Sequence, residues 1–334
     1  MARGSYSVGF PNYGVCSLCG GDSDLGLLLS FGVGLCCFRV GVDAVANFHR
    51  ELNDATVWLA LPALGVRPWL SWKRGIEMRV VIVGATGGIG RALSRQLVEA
   101  GDQVFAIGRR EDALEQWRSE FGGGIARADA ADWDELERAY QQAVLNLTGV
   151  DGVVCLAGSV LLKPAHLTSP SDWQATIAQN LTTAFGVIRA ATKSGSVAGG
   201  DQAGRGLSIV LMSSAAASIG LSNHEAIAAA KGGIEGLVRS AAATYAARRI
   251  RVNAIAPGLT QTPMTERIWS NPRSAEASRS LHPLGCLGDP SQVAQAIEFL
   301  LSERASWITG QVLGVDGGLS RLKVPAPPAP GNPG

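Results

Sequence analysis

The chain has 334 residues, of which 46% are hydrophobic and 17% charged, and its formal net charge at pH 7 is +1. This composition excludes a chain that is disordered throughout and supplies enough apolar surface for a globular core. The near balance of acidic and basic residues argues against recruitment to nucleic acid or to a membrane surface, so we expect a small-molecule partner.

The first predicted segment is an N-terminal extension, residues 1–77, rich in Gly, Cys and Trp and without a sustained period of 3.6 or 2. The pattern changes at Met78, and we interpret that residue as the true start, with the extension as an overextended reading frame. A targeting segment is an alternative, although the apolar run 25–38 is too short to span a bilayer.

Cysteine usage offers a second alternative for the extension. A metal site is conceivable at Cys16, Cys19, Cys36 and Cys37, although the adjacent second pair is poorly placed for tetrahedral zinc. We predict no metal site. The scattered cysteines, unlike a secreted disulfide framework, indicate a reducing, cytoplasmic environment.

Apolar β runs alternate with helical patterns from residue 78 to residue 322. The alternation predicts an α/β fold: one Rossmann-type domain with a doubly wound parallel sheet of about seven strands and helices on both faces. The tail from Lys323 is rich in proline, and we expect it to be disordered. Strands are predicted over 80–83, 104–107, 152–156, 208–212, 251–255 and 311–315, and helices over 91–100, 173–193 and 226–248.

A glycine-rich turn follows the first of these strands, with Gly84, Thr86, Gly88, Ile89 and Gly90 as its candidate cofactor-binding residues. Glycines allow a tight turn and a close approach of the backbone to a pyrophosphate, whose charge the following helix N-terminus attracts. A structural turn also uses glycine, but the position between strand and helix favours a dinucleotide site.

The end of the second strand carries Arg109 and Arg110 and no carboxylate. An acidic residue there binds the free ribose hydroxyls of NAD, whereas a guanidinium group suits a 2′-phosphate. The pattern therefore predicts NADP(H) rather than NAD(H).

Taken together, these motifs resemble those of the short-chain dehydrogenase/reductase family over most of residues 78–319. The resemblance implies nicotinamide-dependent hydride transfer, and it assigns cofactor contacts to the glycine turn, Asp129, Ala130, Ala157, Gly158, Lys231, Pro257, Gly258 and Thr262. It further implies that Asn180 holds a helix kink and a relay water, that Ser214 orients the substrate and that Lys231 binds the nicotinamide ribose. Cys155 and Leu156 replace the family's two asparagines before Ala157, and Val83 stands where threonine is usual.

The resemblance also exposes a missing group, because Ile227 occupies the position of the family's catalytic tyrosine. Residues four apart share a helix face, so a lysine there lowers the pKa of the tyrosine phenol. Isoleucine can neither donate nor accept a proton. Cofactor binding can therefore persist while the usual proton transfer does not.

Nearby residues offer few replacements for the tyrosine. His224 is a candidate catalytic residue near the start of the same predicted helix, or else a polar residue at its rim. Glu225 is better explained by a capping box with Ser222 as N-cap. Cys155 suits a small buried hydrophobe, and Tyr245 lies too far along the helix.

The sequence therefore supports two main functions and one minor alternative. The first is an NADP(H)-dependent oxidoreductase that acts on a small carbonyl or hydroxyl compound, its proton coming from water or His224. The second is a catalytically impaired NADP(H)-binding sensor or scaffold, and the third is reduction of an activated C=C bond. The resemblance implies a homodimer or homotetramer. The segment 264–287, here called the lid segment, should cover the substrate but carries no recognition pattern.

Overall fold

The computed structural model describes residues 77–193 and 206–323, together with the backbone of four strands between residues 7 and 40. The chain divides into two compact units, Met1–Trp72 and Lys73–Gly334. The four early strands pair antiparallel in chain order. They are β1 (Ser7–Phe10), β2 (Tyr13–Gly21), β3 (Asp24–Phe31) and β4 (Gly34–Val40).

We predicted no regular element in this early segment, and the four strands differ from that expectation. Frequent glycines interrupt the alternation of apolar and polar residues on which strand prediction depends. The side chains of the alternative metal site, Cys16 to Cys37, and of the apolar run 25–38 lie outside the described residues, as do residues 324–334 of the tail. The start at Met78 stays a prediction.

A seven-stranded sheet forms the centre of the second unit, and all its strands are parallel. Its order is β11-β10-β9-β8-β5-β6-β7. The strands are β5 (Arg79–Val83), β6 (Gln103–Gly108), β7 (Gly124–Arg127), β8 (Gly152–Cys155), β9 (Ser208–Met212), β10 (Arg251–Pro257) and β11 (Val312–Val315). This confirms the predicted α/β fold and adds β7, which the strand prediction omitted.

The centre of the sheet is fully buried because its strands carry β-branched side chains on both faces. Val80, Val81 and Ile82 have no exposed surface. Burying one such side chain stabilises the fold by about 1.5–3 kcal/mol. These side chains anchor β5 and so fix the turn that follows it.

Helices cover both faces of the sheet. Apolar side chains of α1, α2 and α9 pack on one face, and those of α3, α5 and α6 pack on the other. The helices are α1 (Gly88–Glu99), α2 (Glu111–Phe121), α3 (Trp133–Leu147), α4 (Pro170–Ile177), α5 (Thr183–Lys193), α6 (Glu225–Tyr245), α7 (Glu266–Trp269), α8 (Pro272–Leu281) and α9 (Pro290–Leu301).

The strand order reverses direction at β5, whose neighbours are β6 on one side and β8 on the other. The helices that follow β5 and β8 pack on opposite faces of the sheet, α1 on one face and α5 on the other. Ligands of open α/β sheets bind at such a reversal point.

Candidate active site

The turn after β5 requires glycine at two positions for different reasons. Gly84 has a φ of +88°, and a Cβ there would lie 2.6 Å from the backbone nitrogen of Ala157. A Cβ on Gly90 would lie 2.5 Å from the carbonyl oxygen of Ala85. Gly87 precedes α1 and supplies no side-chain cap to its first amides. The turn is thus a narrow backbone cradle whose free amides suit an anion.

The segment after β10 lies against this turn. A Cβ on Gly88 would stand 3.0 Å from the Cβ of Thr262. Pro257 ends β10, and the Gly258 N–H donates to the carbonyl of Val315 at 3.1 Å, which ties this segment to β11. The structure therefore brings together two of the predicted cofactor-binding segments, which are distant in sequence.

The carboxyl ends of β6 and β7 carry the predicted adenosine site. Arg109 and Arg110 follow Gly108 and are exposed. Gly108 lies beside the glycine turn, because a Cβ on Gly108 would stand 4.0 Å from the Thr86 Oγ1. The Arg127 Nε donates to the Arg109 carbonyl at 3.3 Å. Sequence reasoning missed Arg127, because its partner is a backbone carbonyl 18 residues away that no sequence pattern marks.

Asp129 and Ala130, the predicted adenine contacts, follow β7. The Asp129 carboxylate is exposed and accepts from the Ala131 N–H at 3.0 Å, while Ala130 is buried. The exposed carboxylate thus lies at the same edge of the sheet as the two predicted arginines. Its contact with adenine stays a prediction.

Asn180 interrupts what the sequence predicted as one helix over 173–193. The segment Ala178–Thr182 forms a π-helical turn between α4 and α5. The buried Asn180 amide donates to the Thr176 carbonyl at 2.9 Å and to the Ser159 Oγ at 3.2 Å, and its Oδ1 accepts from the Ser159 N–H at 3.3 Å. The π-helical turn interrupts the predicted helix at Asn180, and the roles of Asn180 in a helix kink and in the proton relay stay predictions.

Lys231 places a buried ammonium group at the end of β9. Its Nζ donates to the Met212 carbonyl at 2.8 Å. Burial lowers the pKa of Lys231 to about 8, and the nearby Cys155 acts in the opposite direction. Burial likewise raises the pKa of the Cys155 thiol to about 11, which leaves it protonated near neutral pH and agrees with a buried hydrophobe.

Gly158 joins Lys231 and Asn180 into one site. A Cβ on Gly158 would lie 2.7 Å from the Asn180 Oδ1 and 3.6 Å from the Lys231 Nζ. A larger residue would therefore occupy the space between the amide and the ammonium group. Ala157, its neighbour, donates its N–H to the carbonyl of Val83 at 3.1 Å and so connects this site to the glycine turn.

The remaining predicted catalytic residues lie near this cluster along the chain. Ser214 follows β9, is partly buried, and its Oγ accepts from the Ala216 N–H at 3.2 Å. Ile227 is only 4% exposed and lies on α6 one turn before Lys231. The tyrosine position is therefore filled by a buried aliphatic side chain.

The start of α6 differs from the predicted capping box. The N-cap is His224, without a side-chain capping bond, and the helix begins at Glu225. Asn223 adopts a left-handed φ of +63°, which separates Ser222 from the helix. His224 Nδ1 lies 2.7 Å from the Ser222 carbonyl, and Glu225 accepts from the Ala165 N–H at 3.4 Å.

Two polar groups near the site escaped sequence reasoning altogether. Ser213 is buried and its Oγ donates to Glu235 at 2.9 Å, and His282 is buried beside Gly258. No local pattern marks either of them, because Glu235, the partner of Ser213, and Leu259, one partner of His282, are distant in sequence.

Within residues 77–193 and 206–323, no group of three or more His, Cys, Asp and Glu side chains is arranged to hold a metal ion. No helix of the described part of the chain is long and apolar enough to cross a membrane.

Comparisons with known proteins agree with this geometry. A family model described as "Enoyl-(Acyl carrier protein) reductase" matches residues 84–320. The chain is 36% identical over 251 residues to cis-4-hydroxycyclohexanecarboxylate dehydrogenase of Sinomonas cyclohexanicum, covering 74% of this chain and 98% of that protein.

Two further similarities cover the same part of the chain. It is 35% identical over 246 residues to the 3-oxoacyl-(acyl-carrier-protein) reductase of Thermotoga maritima, covering 72% of this chain and 96% of that protein. Among solved structures, a short-chain type dehydrogenase/reductase from Mycobacterium ulcerans superimposes with a TM-score of 0.68 at 30% identity, covering 73% of this chain and 91% of the other.

Proposed function

Because the chain belongs to the short-chain dehydrogenase/reductase family, we propose that it is an NADP(H)-dependent oxidoreductase that interconverts a small carbonyl and hydroxyl compound. The observation that carries the proposal is the convergence of the glycine turn, the 257–262 segment and the Lys231–Asn180 cluster at the carboxyl ends of the strands. Two relatives are named for dehydrogenating a hydroxy compound and for reducing a 3-oxo compound.

The cofactor fits the residues that are present. The turn around Gly84 and Gly90 has no room for side chains, and the first amides of α1 lack a side-chain cap, so a pyrophosphate has both space and donors. Lys231 would bind the nicotinamide ribose, and the 257–262 segment the carboxamide. When bound, the nicotinamide supplies or accepts the hydride.

The preference for NADP(H) rests on Arg109 and Arg110. Both guanidinium groups are exposed at the end of β6, where the 2′-phosphate of the cofactor is expected. The Arg127 side chain holds the Arg109 carbonyl and adds positive charge to the same edge. Residues 108–110, at the end of β6, include no carboxylate that could bind an unphosphorylated ribose.

The residues of the proposed site have separate roles in catalysis, and the usual proton donor is missing. Ser214 would orient the substrate carbonyl and Asn180 the relay water, while the buried Lys231 supplies positive charge. Ile227 cannot transfer a proton, so the proton comes from water or from His224. General acid catalysis by a positioned side chain contributes about 10²–10⁴-fold. We therefore expect slow turnover on ordinary ketones.

The test is NADPH oxidation by the full chain with a panel of ketones, aldehydes and 3-oxo esters, followed by absorbance. Slow but saturable, NADPH-dependent reduction of at least one compound supports the proposal. Turnover at rates normal for enzymes would contradict the expected handicap, and absence of any turnover would contradict the oxidoreductase.

A catalytically impaired NADP(H)-binding sensor or scaffold is the second candidate. The observation that favours it is the burial of an isoleucine, Ile227, at the position where the family has its proton donor. Under this alternative the protein binds NADPH tightly, yet no compound of the panel is reduced. If Ile227→Tyr then reduced a compound of the panel, the result would show that the parent site lacks only the tyrosine hydroxyl.

We further expect a cytoplasmic homodimer or homotetramer. An open apolar groove runs along α3, the π-helical turn, α5 and α6, and Phe185 within it is 43% exposed. The residues that line the groove are Trp133, Leu181, Thr182, Phe185 and Leu237. An apolar groove of this kind suits a second copy of the chain. Phe185→Glu should lower the mass measured by light scattering, whereas Val98→Glu, on the opposite face of the sheet, should not.

Within the described residues, Cys155 and Cys286 are free thiols, in keeping with a reducing compartment.

A further inference from the structure

A buried imidazole lies at the junction of the lid segment and the cofactor site. His282 directly follows α8 and is only 4% exposed. A histidine this deeply buried needs a partner for each ring nitrogen, since an unsatisfied polar atom is unfavourable in the interior.

Two hydrogen bonds satisfy the ring and fix its state. The Ser278 carbonyl, 2.6 Å from Nδ1, can only accept, so Nδ1 carries the proton. The Leu259 N–H, 3.2 Å from Nε2, can only donate, so Nε2 is the acceptor. One neutral imidazole therefore connects the last turn of α8 to the segment that follows β10.

The position of the ring leaves little freedom to that segment. A Cβ on Gly258 would lie 2.5 Å from the His282 Nε2 and 3.0 Å from the Cα of Asp316. Asp316 is itself held by the N–H groups of Gly318 and Ser320, each at 2.9 Å. Three segments meet at the ring: the end of α8, here called the lid helix, the loop after β10 and the turn after β11.

The Leu259 amide lies in the middle of the 257–262 segment, and Thr262, at its end, packs against Gly88 of the glycine turn. The bond to Leu259 is therefore one of the contacts that hold Thr262 beside the turn. The Gln261 N–H donates to the Gly288 carbonyl at 2.9 Å, and the Trp269 Nε1–H donates to the Thr262 carbonyl at 2.9 Å. The link is short, since Thr262 is the third residue after Leu259.

We propose that His282 is a positioning residue for the nicotinamide end of the cofactor site, holding the 257–262 segment through the Leu259 N–H. The inference rests on the proposed function for the identity of the cofactor. It assigns no direct contact with cofactor or substrate to His282. Its role is to keep the segment in place and to couple it to the lid helix.

The test compares two probes that differ in reach. NADPH spans the whole site, whereas adenosine 2′,5′-bisphosphate fills only the adenosine end. For His282→Phe we expect NADPH affinity to fall about tenfold, because the partly buried Leu259 N–H loses its acceptor. Affinity for the bisphosphate should stay unchanged. Equal weakening of both probes, or of neither, would overturn the positioning role.

Two conservative variants separate the two hydrogen bonds and serve if the Phe variant does not fold. The amide of Gln reaches the position of Nε2 and can accept from Leu259, whereas that of Asn reaches only the position of Nδ1. We expect His282→Gln to retain NADPH affinity and His282→Asn to lose it. Identical affinities in the two variants would overturn the inference.

The parent chain separates this result from the proposed function. A parent that does not bind NADPH contradicts the cofactor assignment, and the inference falls with it. A parent that binds NADPH, with no change in any His282 variant, contradicts the inference alone.

Discussion

Replacing Ile227 by tyrosine should raise the rate of carbonyl reduction. Position 227 lies four residues before Lys231 on α6, about 6 Å along the axis at 1.5 Å per residue, and on the same face. A phenol there gains the support of the Lys231 ammonium. A positioned general acid contributes about 10²–10⁴-fold, which corresponds to about 3–5 kcal/mol of activation free energy.

The ring also has a structural cost. Ile227 is 4% exposed, and a larger side chain in a filled space destabilises a protein by about 1–3 kcal/mol. Ile227→Phe is the matched control, because it carries the same ring without the hydroxyl. The melting temperatures of the two variants should fall together, while only the tyrosine variant should gain activity.

The assay is single-turnover oxidation of NADPH by a ketone at saturating cofactor, measured for the parent and both variants from pH 6 to 9. The expected order of rates is tyrosine above parent and phenylalanine. The difference should be largest at low pH, where the phenol is protonated and can donate, and should shrink as the pH rises toward the phenol pKa. A tyrosine variant that folds and binds NADPH like the phenylalanine variant, yet is no faster, would refute the view that the missing hydroxyl limits catalysis.

Three further outcomes are expected. Arg109→Gln and Arg110→Gln should each weaken NADPH binding about 10–100-fold, as expected for a lost charge-assisted hydrogen bond, with little effect on NADH binding. The control Arg239→Gln should leave the affinities for both cofactors unchanged, and fluorescence titration measures these affinities. Gly84→Ala should unfold at lower denaturant than Gly101→Ala, since both have a φ near +88° but only Gly84 lacks room for a Cβ; equal midpoints would contradict the contact argument. Burial lowers the pKa of Lys231 from 10.5 to about 8, so between pH 8 and pH 10.5 the unfolded chain binds one more proton than the folded protein. The free energy of unfolding should therefore rise by about 3 kcal/mol as the pH increases through this range. Urea titrations of Lys231→Met should show no such rise.

The strands of the central sheet were predictable because their apolar runs are long and bounded by polar residues. The predicted strand 208–212 agrees with β9, Ser208–Met212. The predicted apolar runs did not include β7, since Gly124–Arg127 has a single buried residue, Ala126, and no periodic pattern. Arg127 was missed because its partner is a backbone carbonyl distant in sequence.

Other features depend on contacts that sequence patterns do not contain. The predicted helix over 173–193 contains no glycine or proline at the point where the structure interrupts it, so no sequence signal marks the break. The π-helical turn accompanies hydrogen bonds between Asn180 and Ser159, which is distant in sequence. The Ser222 capping box failed because Asn223 takes a left-handed conformation. His282 gained a role only when the fold brought Leu259 to its ring.

The most direct test of the account is hydride transfer by the parent chain with matched concentrations of NADPH and NADH. The account predicts tight binding of NADPH, weaker binding of NADH, and slow NADPH-dependent reduction of a carbonyl compound that Ile227→Tyr accelerates. Equal binding of the two cofactors would contradict the role of Arg109 and Arg110. Tight NADPH binding without hydride transfer to any compound, in the parent and in the tyrosine variant alike, would contradict the oxidoreductase itself.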